Sequence, residues 1–130
     1  MVDEKTPLSK ETQTICRPLR KDGQSYRALN PWSDQDGRLL EIVNRGEFAI
    51  NGFRNRDLRA LLFATNGTEQ DQRRRAGAVT RKLRLLRAHS LIRKVPGTHR
   101  YLVSEKGRRI ITALLTARQA DVEQLTALAA

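Results

Sequence analysis

The sequence predicts a mainly α-helical domain carrying one small antiparallel β-hairpin. Three observations point there. Apolar residues recur at helical spacing in four stretches that begin near residues 33, 55, 69 and 105. Two short apolar runs, 91–95 and 101–104, flank Pro96-Gly97-Thr98-His99-Arg100, a sequence built for a turn. The chain has 130 residues, 38% of them hydrophobic, which suffices for one modest core but not for an elaborate buried active site.

The first helix is expected over 33–45. Ser33 caps it, Asp34 and Asp36 favour its first turn, and Leu39, Leu40 and Val43 form its buried face. Gly46 stops it. Trp32 is expected to pack against it. The stretch 47–53 reads as a turn or a small first strand. The second helix follows at 55–63, capped by Asn55, with Leu58, Leu61, Leu62 and Phe63 inward. Asn66-Gly67 marks a turn. Thr68 with Asp71 gives the spacing of a capping box for a third helix over 69–89, whose apolar stripe is Val79, Leu83 and Leu86. The hairpin comes next. A fourth helix starts after Ser104, buries Ile110, Ile111, Leu114 and Leu115, and extends through Val122, Leu125 and Leu128.

Residues 1–31 hold three of the four prolines and show no apolar period, so they read as an arm or linker. Tyr26, Ala28 and Leu29 offer a short extended segment that docks on the domain. The domain itself is expected over 32–119, with 120–130 as a helical extension.

Net charge is +11, and its distribution is uneven. Residues 71–109 hold 13 cations and two anions, whereas the other 91 residues hold 12 of each. Charge concentrated in one structural unit favours a polyphosphate or an acidic membrane surface over a merely solvated face. The unit concerned is the third helix and the hairpin. The order helix, turn, helix, loop, helix, strand, loop, strand, helix is that of the winged helix-turn-helix, whose second motif helix enters the major groove of DNA beside the hairpin.

With Val79 at the centre of the buried face and ~100° per residue, Arg74, Gly77, Arg81 and Arg84 point outward, flanked by Arg73 and Thr80. Arginine suits guanine edges and phosphates alike. Thr80 suits a phosphate or a thymine methyl. Gly77 in mid-helix costs about 1 kcal/mol against alanine. It either brings the helix axis close to a ligand or makes room for a neighbouring element. Arg93, Lys94, Thr98, His99 and Arg100 place further donors on the hairpin, near the DNA backbone or minor groove.

The run Ala76-Gly77-Ala78-Val79-Thr80-Arg81-Lys82-Leu83-Arg84-Leu85-Leu86-Arg87-Ala88-His89-Ser90-Leu91-Ile92-Arg93-Lys94 resembles the recognition helix and first wing strand of MarR-type winged-helix regulators. Tyr101-Leu102-Val103-Ser104-Glu105-Lys106-Gly107-Arg108-Arg109 resembles the second wing strand and the start of the last helix in that family. The resemblance covers about 54–116. It implies a bacterial DNA-binding regulator in which Gly77, Thr80 and Arg81 face the DNA. Ser90 stands where the family's usual glycine follows the recognition helix, which implies a strained or altered cap. Asn55-Arg56-Asp57-Leu58-Arg59-Ala60-Leu61-Leu62 together with Pro96-Gly97-Thr98-His99-Arg100-Tyr101 also resembles the C-terminal domain of longer bacterial proteins of unassigned role. The chain is therefore read as a regulator or as the DNA-binding module of a larger protein.

Other classes are weaker. Cys16, His89 and His99 are the only soft metal ligands, at no zinc-site spacing, so no metal or cofactor is expected. His89 is read as a helix-end residue favoured by the dipole. No phosphate-cradling P-loop and no nucleophile elbow occurs, so no enzyme is expected. Asp34 and Asp36 fit helix-start carboxylates better than an acid–base pair. No apolar run reaches the ~20 residues of a membrane span, and a cytoplasmic, nucleoid-associated protein is expected. RNA binding and a winged helix that binds an acidic protein partner stay open, although the aromatics that single-strand RNA readers stack on are scarce. The long apolar stripe of the last helix suggests a homodimer.

Overall fold

The computed structural model describes residues 8–129, with side chains over 10–128. Five helices and two hairpins follow in the order α1 (Leu8–Ile15), β1 (Leu19–Lys21), β2 (Gln24–Tyr26), α2 (Asp34–Val43), α3 (Asn55–Leu62), α4 (Glu69–Ala88), β3 (Ile92–Lys94), β4 (Tyr101–Val103) and α5 (Glu105–Ala129). A single 3₁₀ turn, Gly46–Phe48, lies between α2 and α3. The architecture is mainly α with small antiparallel hairpins.

The helices start where local chemistry directs. The Ser33 hydroxyl accepts from the Asp36 amide at 3.1 Å and caps α2. Thr68 and Asp71 form a reciprocal capping box on α4, with the Thr68 amide 2.9 Å and the Asp71 amide 3.1 Å from the opposite side chain. Asn55 is not the cap of α3. It is the first helical residue, and the Arg54 amide donates to Asp57 Oδ2 at 2.7 Å instead.

At its end α4 forms a Schellman motif. The Leu91 amide reaches back to Leu86 O at 3.0 Å and the Ser90 amide to Arg87 O at 2.9 Å. Ser90 adopts the left-handed conformation, φ 62°, so the glycine-type cap is kept on a serine and carries the strain expected there. The Ser104 hydroxyl donates to Ser90 O at 2.9 Å and accepts from the Gly107 amide at 2.9 Å, which joins the end of α4 to the start of α5.

The core gathers Leu39, Leu40 and Val43 of α2, Phe53, Leu58 of α3, Val79, Leu83 and Leu86 of α4, Leu91, Ile92, and Ile110 and Ile111 of α5. The stretch expected as a turn or strand contributes one residue to pairing. Phe53 exchanges both backbone bonds with Tyr101, at 2.9 and 2.8 Å, on the outer edge of β4. The β3–β4 register pairs Ile92 with Val103 and Lys94 with Tyr101. Its loop turns at Pro96-Gly97, with Gly97 at φ 73° and the Thr98 amide bonded to Val95 O, a type II turn.

The arm reading of 1–31 is corrected over its described part. Residues 8–15 form α1, and a second hairpin turns at Asp22 (φ 52°) and Gly23 (φ 78°), a two-residue turn whose twist suits antiparallel strands. Ile15 and Leu29 are fully buried in the same core. The Leu29 amide donates to Ile15 O at 2.9 Å, which closes the base of this N-terminal unit. Residues 1–7 lie outside the described residues.

Asp36 anchors the same unit. Its carboxylate accepts from both terminal nitrogens of the Arg27 guanidinium, at 2.8 and 2.9 Å, and from the Asn30 amide at 2.9 Å. Burial pushes the carboxyl up, but the Arg27 and Asn30 donors outweigh it and hold it below the ordinary range. Asp36 is thus a structural carboxylate, fixed by a residue of the segment expected as a linker. Trp32, beside the start of α2, remains half exposed.

Candidate nucleic-acid interface

The exposed face of α4 follows from what the opposite face buries. Val79, Leu83 and Leu86 fix the helix on the core, and Arg73, Arg74, Arg81 and Arg84 are left exposed along the outside. Arg73 pairs with Glu69 at 2.9 Å and Arg74 lies 3.7 Å from Asp71. Both are surface pairs at one-turn spacing, weak enough to yield to a better anion. Among the described residues no carboxylate pairs with Arg81, Arg84 or Arg87.

Gly77 sits half-buried amid these arginines. A Cβ built there meets only the Arg81 guanidinium, at 3.6 Å, and no other element. The glycine is therefore not making room for packing. It leaves the helix axis open to the outside, with the Arg81 side chain lying back over the gap.

Thr80 is exposed, but its hydroxyl donates to Ala76 O at 3.0 Å and accepts from Asn55 Nδ2 at 3.1 Å. Its single hydrogen is used within the fold, so the methyl is the group left for a partner. Asn55 also bonds Ala76 O at 3.1 Å and so sets α3 against α4.

On the β3–β4 hairpin, Arg93, Lys94 and His99 are exposed. Thr98 shapes the loop. Its hydroxyl donates to Val95 O at 2.8 Å and accepts from the Arg100 amide at 3.0 Å. Arg100 is half-buried, with Nη1 3.4 Å from Asn51 O. His99 shares one cleft with Thr80 and with Arg54, Asn55, Arg56 and Arg59, which brings the hairpin loop beside the middle of α4.

Sequence reasoning missed Arg54, Arg56 and Arg59. Among the described residues the Nε atoms of Arg54 and Arg59 are buried and without a hydrogen-bond partner. The signal was present: three arginines within six residues, countered only by Asp57. Other cations of the basic segment are structural. Arg75 donates to Ala64 O at 2.8 Å and to Asn66 O, pinning the α3–α4 connection. Arg108 donates to Asn44 O at 3.0 Å, and Arg109 pairs with Glu11 of α1 at 2.9 Å. The contiguous charge thus divides into an outward set on α4 and β3–β4 and an inward set that staples the fold.

His89 caps the C-terminus of α4, buried, with its Nε2 at 2.9 Å from Arg27 O. Among the described residues no group of three or more His, Cys, Asp and Glu side chains is placed to hold a metal ion. No helix of the described residues is long and apolar enough to cross a membrane. Comparison with family models, with curated proteins and with solved structures finds no match to this chain.

Proposed function

We propose that the chain is a MarR-like winged helix-turn-helix domain that binds double-stranded DNA sequence-specifically and carries out no catalysis. It serves a bacterial cell as a cytoplasmic, nucleoid-associated transcriptional regulator or as the DNA-binding module of a larger protein. One observation carries the reading. The exposed face of α4 presents Arg74, Arg81 and Arg84 around a mid-helix glycine that no packing explains. In the proposed complex α4 lies in the major groove. His99, Arg93, Lys94 and Arg100 lie along the backbone or minor groove. Arg54, Arg56 and Arg59 add a further phosphate contact.

A duplex titration over a salt series tests it. Non-specific binding is expected at micromolar level. With about five phosphate contacts, log K falls against log salt with a slope of roughly −4 to −5. Salt-insensitive binding, or none to any duplex, contradicts the reading. Tighter retention on single-stranded RNA or on an acidic protein points to one of the other two partner classes.

The assembly follows from α5. Val122 and Leu125 are 50% and 67% exposed, an apolar continuation of the face that buries Ile110 and Ile111. Pairing of two such helices about a two-fold axis covers them and sets two copies of α4 one groove turn apart, about 34 Å. Light scattering is expected to give a dimer for the full chain and a monomer for a chain ending at Arg118. A monomer in both cases, at tens of micromolar, removes the dimer.

A further inference from the structure

The N-terminal hairpin ends the open face of α4. Leu85 and Ala88 lie within roughly 40° of Arg81 around the helix, yet both are buried. Ala88 shares a cleft with Pro18 and Leu19 at the start of β1. The turn of the hairpin shares another with the same end of α4, lined by Lys21, Asp22, Tyr26, Arg84 and Arg87. The outward face of α4 is thus open from its N-terminus to Arg81, and its last turns are flanked by β1–β2.

The hairpin is firmly rooted. The Arg27 carbonyl meets His89 Nε2, the Arg27 guanidinium meets Asp36, and Tyr26 packs against the core. Register assigns its two faces. Leu19, Tyr26 and Lys21 share one, the face turned to the body, while Arg20 and Ser25 share the other and lie within 3.5 Å of each other. Lys21 therefore stands on the α4 side and Arg20 on the far side, though the two are neighbours in sequence.

Around the cleft stand three cations, Lys21, Arg84 and Arg87, and one carboxylate, Asp22. A duplex whose groove takes the open turns of α4 carries its backbone past this end. We propose that the cleft is a phosphate seat, and that the Asp22-Gly23 hairpin is a second backbone-contacting element besides β3–β4. The inference rests on the duplex reading above. It turns Arg84 from a base-edge donor into a backbone contact and leaves sequence readout to the stretch of α4 from its N-terminus to Arg81.

Fluorescence anisotropy of the full chain with a labelled duplex, over a salt series, tests it. Lys21→Ala is expected to lower affinity five- to tenfold at low salt and to reduce the steepness of the salt dependence by about 0.9. The set of sequences selected from random duplex does not change. Arg20→Ala, on the other face, changes affinity less than twofold. Asp22→Asn keeps a residue that tolerates the left-handed turn and removes the one anion, so binding tightens two- to fivefold. Far-UV circular dichroism confirms that each variant is folded. Wild-type affinity and slope for Lys21→Ala overturn the phosphate seat and leave the duplex reading standing, as do equal losses from Lys21→Ala and Arg20→Ala. Absence of salt-dependent duplex binding by the unaltered chain overturns both.

Discussion

Replacing Gly107 by alanine is expected to lower the thermal midpoint by roughly 10 °C, a loss of about 3 kcal/mol. The cause is a close approach of backbone to backbone. A Cβ on Gly107 lies 2.0 Å from the carbonyl oxygen of Leu91 and 2.8 Å from its carbon. No rotamer relieves that, because the obstacle is main chain. Nor is Leu91 O free to retreat. It accepts from the Ser104 amide at 3.0 Å and from the Ser104 hydroxyl at 3.2 Å, while Leu91 itself is fully buried. Alanine pushes α5 off the start of β3 and loosens Ile110 and Ile111 in the core. Gly77→Ala is the contrast. There a Cβ makes only an ordinary contact with the Arg81 guanidinium, at 3.6 Å, so the helix gains about 1 kcal/mol and the midpoint rises. Under the proposed function the same methyl stands between α4 and the groove, and duplex affinity falls. Thermal denaturation followed by circular dichroism measures both variants. Equal shifts of the two midpoints contradict the packing account.

Helix α4 was the most legible element in the sequence. Its Thr68–Asp71 box and its Val79, Leu83, Leu86 stripe placed it over 69–89, against an observed Glu69–Ala88. The 92–103 hairpin was equally plain, because Pro96-Gly97 stands between two short apolar runs. The N-terminal unit was not legible. Its turn pair, Asp22-Gly23, is a strong hairpin signal, but Arg20, Lys21, Gln24 and Ser25 beside it show no apolar alternation. Ile15 and Leu29 are its two fully buried apolar residues, too far apart to form a period. Its main tie, Arg27 to Asp36, is a contact between elements that no local pattern records. The same limit applied to the candidate interface. Helical spacing placed Arg74, Arg81 and Arg84 outward together, all exposed in the structure. Only tertiary geometry separated Arg75, bound to the carbonyls of the α3–α4 connection, from its exposed neighbours Arg73 and Arg74.

Arg81→Ala is expected to produce the largest change in DNA binding of any single substitution on α4. The cost is about 1–3 kcal/mol, or roughly five- to 150-fold, with relaxed preference at one base position. Arg81 combines three properties that its neighbours do not share. It is exposed, it has no carboxylate partner among the described residues, and its guanidinium lies over the gap that Gly77 leaves. Arg73 and Arg74 have local acidic neighbours, and Arg84 belongs to the cleft with Lys21 and Arg87. An exposed guanidinium lying over the Gly77 gap is the donor best placed for a guanine edge, where two parallel hydrogen bonds distinguish one base pair from the others. Arg81→Lys keeps the charge and loses the fork, so it should retain most of the non-specific affinity and still relax the base preference. Arg100→Ala and Lys94→Ala should weaken all duplexes about equally and lessen the salt dependence. Arg75→Ala should destabilise the fold without altering which sequences are selected. Selection from random duplex, followed by titration of the best and a scrambled site, separates these outcomes. If Arg81→Ala keeps its selected sequence while losing affinity, Arg81 is a phosphate contact and base readout lies elsewhere on α4. If it changes neither, α4 does not enter the groove by this face.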